Sequence, residues 1–183
     1  MKDITAQEFL SKVWPSPLLR NETLELRAIK RGDDKDVQRR FAKSIDEFIK
    51  IASTFDSGWD IYFGVSTRHF NRGKKSDCYR IKTVWVDFDK TDKLPDFKKI
   101  PPDITVESGG GFHCYWLLEE PIFIKTGRWK EIEAVNRALA KKFSGDRMSI
   151  DASRILRVPG FNNHKYDPPR KVKAHAVQNR DLS

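Results

Sequence analysis

Three short segments of this 183-residue chain carry side chains whose types and spacing suit phosphate chemistry. They are the strand Val84-Trp85-Val86-Asp87-Phe88-Asp89, the turn Ser108-Gly109-Gly110-Gly111-Phe112-His113, and the stretch from Ile150 to Gly160. Side chains alternate along a strand, so Asp87 and Asp89 leave one face while Val86 and Phe88 enter a core. Paired carboxylates at a strand end suit a divalent cation such as Mg²⁺, which takes oxygen ligands and shares its shell with substrate phosphates. A third acid is normally wanted, and Asp151, following the apolar Ile150, is the candidate. Glycines 109–111 let backbone N–H groups approach phosphate oxygens closely, and His113 beside them can donate to a phosphate or a departing pyrophosphate. The turn is not a P-loop, because no Lys-Ser/Thr follows the glycines. Arg154, Arg157 and Lys165 add cations, Arg able to hold phosphate oxygens bidentately and Lys acting as a point charge. Singly, each segment has an ordinary explanation as an exposed strand acid, a hairpin turn or surface ion pairs; together they place three carboxylates, one histidine and several cations where a metal-bound triphosphate would need them.

These residues need elements to position them. Thr5-Ala6-Gln7-Glu8 spells a capping box before a short amphipathic helix carrying Phe9, Leu10, Val13 and Trp14. Leu24, Leu26 and Ala28 alternate with Glu25 and Arg27, predicting a half-buried strand closed by the turn Arg31-Gly32-Asp33-Asp34. Val37, Phe41, Ile45, Phe48, Ala52 and Phe55 recur at helical steps and predict one long helix between Asp34 and Ser57. Strands are expected over 60–67 and 81–89, with a mobile basic loop over 69–75 between them. Residues 104–107 and 112–118 read as a hairpin around the glycine turn, residues 126–144 as a second long helix stopped by Gly145, and 172–177 as a final strand. Mixed strands and helices place the chain in the α/β or α+β class.

Lys and Arg number 35 against 26 Asp and Glu, a formal net charge of +9 with a pI near 9.6. Such a balance favours a polyanionic partner. Cys78 and Cys114 stand alone, which argues against a zinc finger and for reduced thiols. No stretch approaches the roughly 20 apolar residues of a membrane span, so a cytoplasmic protein without membrane contact is expected.

In combination the motifs resemble the archaeo-eukaryotic primase superfamily, close to the primase-polymerase (prim-pol) domains of plasmid, phage and CRISPR-associated replication proteins. The hydrophobic run ending in Asp87-Phe88-Asp89 is similar to the family's first motif, and Ser108 to His113 to its second. Ile150-Asp151, Arg157-Val158-Pro159-Gly160 and Asn163-His164-Lys165 resemble its third, and the resemblance spans about residues 60–178 in the family's order. It implies that Asp87, Asp89 and Asp151 hold two Mg²⁺ or Mn²⁺ ions, with His113 assisting catalysis. Ser108, Gly109, His113, Arg157 and Lys165 would contact a nucleoside triphosphate. It also implies an RRM-like antiparallel sheet with flanking helices, joined to an N-terminal α/β module in one compact catalytic unit. On this reading residues 1–183 are a single domain, with 1–59 the N-terminal part and 60–178 the catalytic core. The implied reaction is attack of a 3′-hydroxyl on the α-phosphate, templated by single-stranded DNA that follows Arg68, Arg72, Lys74 and Lys75. A prokaryotic, plasmid or viral origin is implied, with a helicase or C-terminal module in a longer protein from which this domain is excised. Primer extension is the expected activity, since initiation in this family often needs additional parts. Two rivals remain at this stage: a metal-dependent nuclease using the same acids, and a noncatalytic single-strand or origin-binding module.

Overall fold

The computed structural model describes residues 1–32, 36–125 and 127–177. Two antiparallel five-stranded sheets form the frame. The first is built from β1 (Lys2–Ile4), β6 (Arg80–Asp89), β7 (Ile104–Glu107), β8 (Gly111–Phe123) and β12 (Lys173–Ala176), in the order β1-β12-β7-β8-β6. The second has the order β3-β2-β4-β9, from β2 (Glu22–Lys30), β3 (Val37–Ala42), β4 (Trp59–Gly64) and β9 (Ile155–Arg157), with β5 (Arg68–His69) also on β2. A small ladder pairs β10 (Asn162–Asn163) with β11 (Arg170–Lys171). Among the described residues three α-helices, α1 (Ala6–Val13), α2 (Ile45–Ala52) and α3 (Trp129–Phe143), complete a mixed α+β fold. Strand pairing crosses residue 60 in both directions, because β1 joins the first sheet while β4 and β9 join the second.

The capping box at Thr5 forms: its hydroxyl accepts from the Glu8 N–H at 3.1 Å, and Glu8 Oε2 accepts from the Thr5 N–H at 2.7 Å. The helix so fixed points Phe9 inward, edge-on to Phe63 of β4 and Tyr115 of β8, both with ring centroids at 5.3 Å. One residue therefore belongs to the cores of both sheets. Truncating such a side chain costs about 3–5 kcal/mol. The opposite side of β6 packs Val86 and Phe88 against Ala140 and Phe143 of α3, in the alternation read from the sequence.

Several expectations change. The long helix expected between Asp34 and Ser57 is strand β3 followed by α2, which Ser44 caps by accepting from the Glu47 N–H. A four-residue step such as Val37 to Phe41 is also a multiple of two, so it fits a strand as well as a helix. The charged residues of β2 are not simply outside: Glu22 and Glu25 are fully buried, held by Arg80 and Arg68 at 2.5 and 2.6 Å. Helix α3 ends on Ser144 in the left-handed conformation (φ 58°) rather than on Gly145. Asp33, Asp34 and Thr126, at the edges of the expected turn and helices, lie outside the described residues, as does residue 178 at the end of the expected core. Cys78 and Cys114 are buried free thiols. Among the described residues no helix is long and apolar enough to cross a membrane.

Candidate active site

β6 is an edge strand, and its outward backbone groups need partners. Asn136 of α3 supplies one, its Oδ1 accepting from the Trp85 N–H at 3.0 Å while its Nδ2 donates to the Ile150 carbonyl at 3.2 Å. Further along, the Asp146 N–H donates to the Asp87 carbonyl at 2.8 Å. The segment after α3 is thereby laid along the end of β6. Gly145 permits this approach: a Cβ there would lie 2.1 Å from Val86 Cγ1 and 3.0 Å from the Asp87 carbonyl oxygen.

The result is an acidic cluster in which single carboxylate oxygens of Asp87, Asp89 and Asp146 all lie within 4.8 Å of one another. Ser149 Oγ sits between two of them, 3.2 Å from Asp87 Oδ2 and 2.6 Å from Asp146 Oδ2, with one proton to donate. Burial, then the neighbouring charge of Asp89, pushes the Asp87 carboxyl up from 3.8 to about 6. Asp146 is held below its ordinary value: burial works against this, but hydrogen bonds from Ser149 and the Met148 N–H, with the charge of Arg154, outweigh it. Three acids crowded this closely repel unless a cation or proton intervenes, and an all-oxygen donor set suits Mg²⁺ or Mn²⁺. The third acid here is Asp146, whereas the sequence pointed to Asp151. Asp151 is engaged locally, accepting from Ser153 Oγ at 2.6 Å and lying 3.3 Å from Arg154 Nε. Arg154, which also donates to the Met148 carbonyl, is absent from the cleft described next.

The β6–β8 register sets His113 directly opposite Asp87 and Gly111 opposite Asp89. Gly111 is needed there, because a Cβ would meet the Phe88 carbonyl oxygen at 1.9 Å. His113 Nε2 lies 3.7 Å from Asp87 Oδ1, too long for a hydrogen bond, and Nδ1 is 3.5 Å from the Tyr115 hydroxyl. Burial, then the nearby Arg157 charge, lowers the His113 pKa to about 3, so the imidazole is neutral at working pH. Across the cleft, the β4–β9 register pairs Tyr62 with Arg157, whose guanidinium lies over the Tyr62 ring at 4.8 Å. Its Nη1 is 2.9 Å from Oδ2 of the buried Asp60, which also accepts from the His164 N–H at 2.8 Å. Asn163 ties the glycine turn to this side by donating to the Ser108 carbonyl at 2.8 Å.

Asp87, Asp89, Ser108, His113, Arg157 and Lys165 thus line one cleft of about 150 Å³. Gly109 lines the groove next to it. Of the residues expected to follow DNA, Arg68 cannot: it is fully buried, bonded to Glu25, Ser66, Cys78 and the Ser153 carbonyl. Lys75 is held 2.5 Å from Glu133 Oε1 and over the Trp129 ring at 4.2 Å, while Arg72 and Lys74 are exposed. Sequence reasoning missed Asp146, Ser149, Asp60 and Tyr62. The Gly145-Asp146 pair directly after a helix was the legible signal for the first, and an acid inside the apolar strand Trp59–Gly64 for the third.

Two antiparallel sheets with acids at an edge-strand end, facing a glycine-turn histidine and a basic third segment, define an archaeo-eukaryotic primase-type domain. The chain belongs to the RepB DNA-primase N-terminal domain family, which matches residues 85–178. A replication protein of Clostridium perfringens is 30% identical over 120 residues, 58% of this chain; the alignment spans 30% of that protein's length. Among solved structures, the AEP domain of the cyanophage S-2L primase-polymerase is similar with a TM-score of 0.65 at 16% identity, covering 85% of this chain and 82% of that one. The primase RepB′ is similar with a TM-score of 0.61 at 17% identity, covering 87% and 52%. Its catalytic domain in complex with initiator DNA gives 0.58 at 17% identity, covering 87% and 78%. At these identities the likeness to the solved structures is one of fold.

Proposed function

We propose that residues 1–183 form a single primase-polymerase unit that transfers nucleotides from nucleoside triphosphates to a 3′-hydroxyl on a single-stranded DNA template. The observation carrying this reading is the meeting of the three-acid cluster with a cleft that also holds Ser108, His113, Arg157 and Lys165. Asp87, Asp89 and Asp146 would hold divalent cations, two in the full reaction. Bound there, Mg²⁺ or Mn²⁺ supplies acidification of the attacking hydroxyl and neutralisation of the departing pyrophosphate. Arg157, fixed at its edge by Asp60 and at its face by Tyr62, offers its remaining donors to phosphate oxygens. Lys165 adds an exposed point charge, and neutral His113 can donate one hydrogen bond without adding charge. Ser149 steadies Asp87 or Asp146 according to which is the better acceptor.

The test is incorporation of labelled nucleotides by the purified chain on primed and unprimed single-stranded DNA, with deoxy- and ribonucleotide sets and with Mg²⁺ or Mn²⁺. Products complementary to the template support the proposal. Loss of labelled DNA instead indicates a nuclease, and DNA binding without product a noncatalytic module; either overturns it.

A further inference from the structure

Two open grooves flank the acid cleft, and their charges differ. The first, about 650 Å³, balances Lys90 and Lys93 with Asp89 and Asp146. The second, about 730 Å³, lies beyond the glycine turn and gathers Lys90, Arg170, Lys171 and Lys173 against Asp92 and Glu107. Glu107 Oε1 lies 3.1 Å from His175 Nε2. Among the described residues Lys90, Lys171 and Lys173 have no carboxylate at ion-pair distance, and all three are exposed. Val172 between the two lysines is buried, so alternation sends Lys171 and Lys173 outward together.

The geometry points to this second groove as the track for single-stranded DNA, in place of the 68–75 segment; the inference rests on the polymerase reading above. Lys90, Gly110 and Tyr166 line both the groove and the acid cleft, so a strand lying in the groove ends beside Asp87 and Asp89. Phe112 and Tyr166 provide half-buried rings beside the cations, the pairing of stacking surface with charge that single strands use. Arg170 fixes the wall: its guanidinium stacks on Tyr166 at 3.8 Å and Nη1 donates to the Gly109 carbonyl at 2.8 Å. Gly110 makes the junction narrow, since a Cβ there would lie 2.2 Å from the Tyr166 hydroxyl. A free triphosphate does not need unpaired cations this far along two strands; a phosphate backbone does.

The test compares Lys171→Glu/Lys173→Glu with Lys12→Glu/Lys50→Glu, which makes the same charge change on the exposed sides of α1 and α2. Binding of a fluorescein-labelled oligodeoxythymidylate is read by anisotropy without nucleotide or metal, and a fluorescent nucleoside triphosphate with Mn²⁺ is titrated separately. The groove variant should lose roughly tenfold or more in DNA affinity, with the salt slope flattened by about 1.4 for two lost single-strand contacts. Its triphosphate affinity and melting temperature should match wild type, and the control should bind DNA nearly as wild type. Equal losses in both variants, no loss in the groove variant, a loss confined to the triphosphate, or a wild-type chain that binds no single strand overturns the inference. Because binding is read without catalysis, failure of the groove is separable from failure of the polymerase reading.

Discussion

Replacing Asp87 by Asn is expected to make the metal-free protein more stable while removing its activity. The Asp87 side chain is 14% exposed, and burial with the Asp89 charge lifts its pKa from 3.8 to about 6. That displacement corresponds to about 3 kcal/mol of folding stability forgone near neutral pH. The folded value lies above the unfolded one, so the native state binds more protons between them. The cost is therefore full above the folded pKa and disappears as pH falls toward the unfolded value. Asn keeps the shape and can still accept from Ser149 Oγ. In EDTA at about pH 7.5, Asp87→Asn should gain up to about 3 kcal/mol, a rise in melting temperature of about 6–12 °C. The gain should shrink to near zero at about pH 4. Saturating Mg²⁺ should stabilise the wild type by about 2–3 kcal/mol and the variant far less, closing the gap. Urea denaturation followed by tryptophan fluorescence, in EDTA and in Mg²⁺ across this pH range, reads all three. A variant less stable than wild type in EDTA, or a gain independent of pH, would refute the reasoning.

Asp60→Asn removes the charge that holds Arg157 while leaving an acceptor for the His164 N–H. The contact is a buried ion pair without hydrogen-bond geometry, and without it the guanidinium loses its anchor beside the cleft, so the KM for nucleoside triphosphate should rise roughly tenfold, about 1.4 kcal/mol, with kcat little changed in a steady-state extension assay. Arg68→Met takes the buried guanidinium at 2.6 Å from Glu25 but leaves Arg27 at 2.5 Å and Arg39 at 3.0 Å, so it should cost about 1.5–3 kcal/mol in urea denaturation. Single-strand affinity per folded molecule should stay at the wild-type level, since Arg68 reaches no surface.

How much of this was legible in the sequence depended on whether partners are local. The capping box at Thr5, the alternation of β6 and the 104–118 hairpin are short-range patterns, and they stand as read. Asp87 and Asp89 share a strand, so their convergence is a property of that strand alone. Asp146 reaches them only because an edge strand recruits the segment after α3 through Asn136 and the Asp87 carbonyl, a long-range event whose one local sign is the Gly145-Asp146 pair after the helix. Asp151 had the expected hydrophobic-then-acid pattern but satisfies itself with Ser153 and Arg154, two and three residues away. The same limit applies to charge: Arg68 was expected to follow single-stranded DNA with Arg72, Lys74 and Lys75, and only the fold brings Glu25 to it from 43 residues away.

The central claim is that Asp87, Asp89 and Asp146, rather than Asp151, form the metal-binding heart of a template-directed polymerase site. Primer extension on single-stranded DNA with Mg²⁺, comparing Asp146→Asn and Asp151→Asn at matched folded fraction, tests it most directly. The account predicts background activity for Asp146→Asn and activity close to wild type for Asp151→Asn. Full extension by Asp146→Asn, or its retention alongside loss in Asp151→Asn, would contradict it.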